Sequence, residues 1–205
     1  MNVLGISALY HDSGASLIVN GEIIAAAQEE RFTRIKHDLR MPANAVQYCL
    51  QEAKMKAADI DIVVFYDNPL YTLDRYIKNI ITAGDDSRDI IERSFDSMFS
   101  DKLWIHKSLE GILGKNPKRK FLVCEHHVSH AASAFYPSPF EKAVVVTLDG
   151  VGEWATTTIG VGSGSKLVLK EELRFPHSLG LLYSAFTYFC GFKVNSGDYK
   201  FMGLA

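Results

Sequence analysis

A strand-rich pattern that starts twice constrains this chain more than any single motif. Residues 2–9 form a short apolar run, residues 15–19 a second and residues 22–27 a third. Runs of this length bounded by polar turns read as strands. Asn20-Gly21 joins the second to the third, and both residue types tolerate positive φ, so a tight hairpin is expected there. Pro42, followed by apolar residues at Ala45, Val46, Cys49, Leu50 and Ala53, marks an amphipathic helix. A fourth strand over 60–66 is expected parallel to the first, through a right-handed strand–helix–strand crossover. Residues 70–114 read as two or three helices, with apolar positions such as Ile77, Ile81, Ile90, Phe95 and Met98 and a break at Gly84-Asp85-Asp86-Ser87. A fifth strand covers 121–124. The order then begins again, with strands over 143–148, 155–161 and 166–173 and a helix over 180–190. The expectation is an α/β chain of two units of β-β-β-α-β-α-β-α order. The first spans 1–140 with a helical insertion at about 70–114, and the second, 141–205, stops after its first helix.

Composition narrows the partners. The formal net charge is −2, so the basic footprint of a nucleic-acid binder is absent. No stretch approaches the ~20 apolar residues of a membrane helix. The start, Met1-Asn2-Val3-Leu4-Gly5, lacks the basic and long apolar segments of a signal peptide. Cys49, Cys124 and Cys190 are far apart in apolar segments and read as buried, reduced thiols of a cytoplasmic protein. The last residues, 201–205, are apolar without a polar tail, as expected of a chain cut from a longer one.

The chemistry-bearing residues gather in three places. Three of the seven histidines, His126, His127 and His130, fall within five residues where an apolar strand hands over to a small-residue helix that Pro137 and Pro139 terminate. His126 and His130 are four apart and share one helix face, so two imidazoles can chelate one transition metal. Asp149, at the end of the following strand, offers an oxygen ligand. The plainer reading of such a pair is packed or solvated histidines, and His127 is open between the site, the core and the surface.

The second place is the turn Tyr10-His11-Asp12-Ser13-Gly14, matched in the second unit by Asp149-Gly150-Val151-Gly152. Backbone N–H groups and hydroxyls of tight turns converge on phosphate, and Gly150 and Gly152 let a backbone approach a ligand closely. The third is the charged run 28–38. It is either a solvated connector or a segment whose Arg31, Arg34 and Lys36 face a substrate anion.

The stretches 11–15, 29–37, 126–131, 148–150 and 198–205 together resemble the N-terminal part of the O-carbamoyltransferases of nodulation-factor and antibiotic (tobramycin, cephamycin) carbamoylation. That part of the family is similar to the tRNA threonylcarbamoyl-transfer proteins. Both have the actin, sugar-kinase and Hsp70-like (ribonuclease H-like) duplicated fold, in agreement with the repeated order above.

The resemblance implies a carbamoyltransferase. A C-terminal domain, beyond this chain, makes carbamoyl adenylate from carbamoyl phosphate and ATP. The N-terminal part moves the carbamoyl group to the hydroxyl of a small-molecule substrate at a divalent metal, Fe(II) first, with Zn or Mn as alternatives. By the same resemblance His126, His130 and Asp149 are metal ligands, with a further ligand from the second half of the fold. His11 is the general base beside the carbamoyl group, and Lys36 assists near the anion. Ser13, Gly14, Gly150, Gly152, Lys200 and Gly203 approach the nucleotide. The 205 residues alone are expected to be inactive. Two other readings stand beside this one: an ATP-dependent small-molecule kinase of the same fold, and a non-catalytic nucleotide- or metal-binding module.

Overall fold

The computed structural model describes residues 1–84, 88, 91, 92, 99 and 102–204. Two compact units result, Met1–Cys124 and Glu125–Ala205. The bounds expected from the repeat follow connectivity. Compactness groups the histidine-bearing helix with the second unit instead.

In the first unit, strands β1 (Asn2–Ser7), β2 (Gly14–Val19), β3 (Glu22–Gln28), β4 (Ile62–Phe65) and β5 (Lys120–Val123) form one sheet in the order β3-β2-β1-β4-β5. β1, β2 and β3 are antiparallel, with Asn2 opposite Val19 and Ser7 opposite Gly14. β4 lies parallel to β1, and β5 parallel to β4. The antiparallel hairpin and the placement of β4 parallel to β1 are as expected from the sequence. The Asn20-Gly21 hairpin forms as expected, with φ of 52° and 92°.

Period-2 alternation turns Leu4, Ile6, Leu17, Val63 and Phe65 into the core. Each such side chain contributes roughly 1.5–3 kcal/mol by leaving water. Helix α2 (Ala43–Glu52) covers β2 and β3 and buries Ala45, Val46 and Cys49. Buried Glu29 accepts hydrogen bonds from the Asn44 and Ala45 N–H groups at 3.2 and 2.8 Å, so it satisfies the first turn of α2. The charged run is partly ordered, since residues Glu30–Thr33 form a one-turn helix, α1. Helix α3 (Pro69–Ala83) and helix α4 (Ile105–Leu113) bracket the expected insertion. The expected positions Ile90, Phe95 and Met98, and Asp85 to Ser87 of the break, lie outside the described residues.

The second unit opens with helix α5 (His126–Phe135) and continues as the antiparallel meander β6 (Lys142–Leu148), β7 (Ala155–Ser163) and β8 (Lys166–Arg174). Helices α6 (Leu179–Phe189) and α7 (Asp198–Met202) follow. α5 packs on the meander through Ala131, Phe135 and Val145. Gly162 makes room for the Phe135 ring, since a Cβ there would lie 2.5 Å from ring carbons. The opposite face of β6 presents Val144, Val146 and Leu148 to solvent.

The cysteine expectation needs correction. All three thiols are free, but only Cys49 is buried; Cys124 is half-buried and Cys190 exposed. Cys190 follows the last residue of α6, an end that sits outside the packed interior. Among the described residues no helix is long and apolar enough to cross a membrane.

Candidate metal centre

The histidine helix begins where its sequence dictates. Glu125 is extended, and α5 starts at His126. The His126 N–H donates to both carboxylate oxygens of buried Glu153, at 2.9 and 3.1 Å. An anion thus occupies the positive end of the helix. One turn later comes His130, on the same face. The two Nε2 atoms lie 3.0 Å apart.

Asp149 is brought to them by β6. Its N–H donates to the Thr156 carbonyl at 2.9 Å, the last rung beside β7. The Gly150 N–H donates to Asp149 Oδ1 at 2.6 Å and so aims Oδ2 at the histidines. Oδ2 is 2.9 Å from His126 Nε2 and 3.9 Å from His130 Nε2. From below, Ser178 Oγ contacts the Asp149 and Gly150 carbonyls at 3.2 and 2.6 Å, while accepting from the Leu181 N–H as the cap of α6. The hydrogen bond with His126 and the Gly150 N–H outweigh burial and hold the Asp149 carboxyl down at about 2.

Two nitrogens each about 2.1 Å from one ion lie roughly 3.0 Å apart when the angle between the bonds is about 90°. The Nε2 separation of 3.0 Å matches that spacing. Two imidazoles and a carboxylate are also the donor set of open transition-metal sites. On spacing and on donor chemistry, these residues fit a divalent metal.

His127 belongs to the core. It is 2 % exposed, and its Nδ1 shares a 2.5 Å hydrogen bond with Thr147 Oγ1, which in turn bonds Thr158 Oγ1 at 2.6 Å. Burial, and then the neighbouring His126, push its imidazole below the usual value. Gly152 packs closely under these rings. A Cβ there would sit 2.9 Å from His127 Cδ2 and 3.1 Å from His126 Cβ. Gly150 leaves ordinary space, with Leu181 at 3.8 Å from its notional Cβ.

The first unit gathers a separate polar cluster. His11 Nδ1 meets Asp12 Oδ2 at 2.8 Å, and His37 Nδ1 meets Asp12 Oδ1 at 2.9 Å. Ser13 is buried, and its Oγ has no partner among the described residues. Gly14 opens β2 under the Ala27 carbonyl, 2.9 Å from its notional Cβ. Lys36 is exposed, and Arg31 donates to Glu30 at 2.7 Å. Lys200 lies in α7 with its ammonium 5.9 Å from the Tyr199 ring centre, and Gly203 caps that helix.

Three residues of these clusters escaped the sequence reading. Glu153 sits 27 residues from His126 and carries no motif of its own. Asp12 lies in a polar turn whose sequence does not single it out from its neighbours. His37 falls in the charged run 28–38, 25 residues from its carboxylate partner, and no spacing rule links the two.

The family model described as Carbamoyltransferase N-terminus matches residues 2–205. The chain is 49 % identical over 210 residues to the uncharacterized protein sll1178 of Synechocystis, covering 100 % of this chain and 34 % of that protein. It is 36 % identical over 200 residues to the nodulation protein NolNO of Sinorhizobium fredii, covering 95 % of this chain and 27 % of the other. It therefore spans between about a quarter and a third of the length of these relatives. Among solved structures, YeaZ from Pseudomonas aeruginosa is similar with a TM-score of 0.43 and 13 % identity, covering 86 % of this chain and 69 % of YeaZ. With the family model matched along almost its entire length, the chain belongs to the carbamoyltransferase N-terminal family.

Proposed function

We propose that this chain is the group-transfer part of an O-carbamoyltransferase. It moves a carbamoyl group from carbamoyl adenylate to a substrate hydroxyl, using a divalent metal held by His126, His130 and Asp149. The observation that carries this reading is the convergence of those three donors, all within 4.8 Å of one another, in a chain of this family. A bound metal would act as a Lewis acid toward the carbonyl that gains negative charge.

The chain's own residues do the rest. Asp149, ionised far below neutral pH, keeps its charge at the site at any working pH. Glu153 and Gly152 fix where α5 begins, and so where both imidazoles sit. We assign to His11 the removal of the proton of the attacking hydroxyl, which a free ring nitrogen can accept. The new C–O bond forms as the bond from the carbamoyl carbon to the adenylate oxygen breaks. The products are an O-carbamate, AMP and one proton. A kinase of the same fold would want an oxygen-rich Mg²⁺ site, which a histidine pair does not provide.

Elemental analysis of the purified protein tests the metal. About one Fe, Zn or Mn per chain is expected, lost in His130→Ala while circular dichroism stays unchanged. The longer protein, given carbamoyl phosphate, ATP and hydroxyl acceptors, should yield a carbamate and AMP. A metal-free protein, full activity in His130→Ala, or a phosphorylated product would overturn the reading.

A further inference from the structure

The Asp12 carboxylate is divided between two imidazoles. Oδ2 takes Nδ1 of His11 and Oδ1 takes Nδ1 of His37, at 2.8 and 2.9 Å. The three side chains are partly exposed, at 57, 32 and 46 % for His11, Asp12 and His37, so as plain ion pairs they would add little stability. The backbone nevertheless adopts costly conformations to bring them together. Asp12 and His37 have φ of 52° and 56°, and Leu9 and Arg34, at the outer ends of the same two loops, have 69° and 61°. Left-handed φ is uncommon for residues other than glycine, and such departures cluster where a site is held against local preference.

The two loops are also tied to each other on both sides of the cluster. Leu9 N–H donates to the Leu39 carbonyl at 2.9 Å, and Ser13 N–H to the Asp38 carbonyl at 2.8 Å. His37 N–H donates to Glu30 Oε2 at 3.0 Å, and Arg31 holds the other oxygen of Glu30.

We propose that Asp12 is a positioning residue that locks both His11 and His37 in the Nδ1–H tautomer, presenting the Nε2 lone pair of His11 to the reaction. A carboxylate accepts and does not donate. Each ring facing it must therefore carry its proton on Nδ1 when neutral, and the basic lone pair then lies on Nε2. Because one carboxylate serves both rings, His37 fixes the rotation of Asp12 and so aims the oxygen that His11 uses. The inference rests on the carbamoyl-transfer reading for what His11 Nε2 does, and on the geometry alone for the tautomer.

The test is nitrogen-15 NMR of ring-labelled histidines in the chelator-treated chain at about pH 8, where an ordinary imidazole is neutral. His11→Gln and His37→Gln serve to assign the signals. The wild-type chain should show protonated Nδ1 and lone-pair Nε2 at both rings. In Asp12→Asn one oxygen is replaced by an NH₂ donor, so one ring, and one only, should switch to the Nε2–H form. Asparagine tolerates left-handed φ, so the turn can persist in that variant.

A wild-type Nε2–H signal at either ring, or Asp12→Asn spectra with both rings unchanged, would overturn the proposal. In the longer protein, Asp12→Asn should lower kcat about a hundredfold with the acceptor KM unchanged. Correct tautomers without any carbamoyl transfer would remove the proposed function and leave the role of Asp12 in ordering the rings intact.

Discussion

Asp38 shows how a single residue can make this chain sensitive to acid. Its carboxylate accepts from Arg40 Nε at 2.9 Å, the Arg40 N–H at 3.1 Å and Thr33 Oγ1 at 2.7 Å. The Arg40 guanidinium and the Thr33 hydroxyl hold its carboxyl well below the usual carboxylate range. A depressed pKa in the folded state means that the unfolded chain binds the proton more readily. The contribution of Asp38 is therefore complete above about pH 4 and declines as pH falls below it. Denaturant midpoints measured between about pH 2 and 6 should drop more steeply for the wild type than for Asp38→Asn. Parallel curves would refute the assignment. At this scale the sequence was informative where spacing alone decides proximity. His126 and His130 had to share a face, and a strand-end Asp149 was a natural third ligand. It was silent where proximity depends on a loop's left-handed turn, as for Asp12 and His37, or on long-range closure, as for Glu153.

At the scale of elements, the meander and hairpins were legible because strand period and turn chemistry agree at Asn20-Gly21 and at the turn between β7 and β8. Strand and helix ends moved by one or two residues, since the last ladder rung and not the last apolar residue ends an element. β1 stops at Ser7 rather than Leu9, for example, and Leu9 instead takes a left-handed φ and bonds Leu39. The start of α5 carries the most consequence. Its His126 N–H is satisfied by Glu153 and not by a residue of its own cap. Replacing a helix N-terminal acceptor costs about 0.5–2 kcal/mol. Glu153→Ala should therefore lower the melting temperature. It should also weaken metal binding about 10- to 100-fold, the range for residues that support ligands from behind. Glu153→Gln, which keeps one oxygen acceptor, should recover part of both. Isothermal titration with Zn(II) and a thermal melt measure the pair of effects. A variant that melts lower yet binds Zn(II) as the wild type does would make Glu153 a helix cap and nothing more.

The whole molecule divides into two compact units, and each holds one of the polar clusters. The three proposed ligands His126, His130 and Asp149 all lie in the second unit, which has the smaller buried cluster of Ala131, Phe135 and Val145. An ion that binds the folded state alone stabilises it by RT ln(1 + [ion]/Kd), about 2.7 kcal/mol at a hundred times Kd. That energy belongs to the structure that presents the ligands. Hydrogen exchange of the chain with and without Zn(II) should therefore slow in α5, in β6 and at the start of β7. The sheet β3-β2-β1-β4-β5 should exchange as before. His130→Ala should abolish the response. Asp12→Asn, in the first unit, should leave it intact. If Zn(II) instead protected residues 9–14 and 30–39, the ion would be held by Asp12, Glu30 and His37, the other described trio whose ligand atoms lie within 4.8 Å of one another. The metal centre and the tautomer lock would then both have to be reassigned, so a single exchange experiment bears on the chemistry of both units.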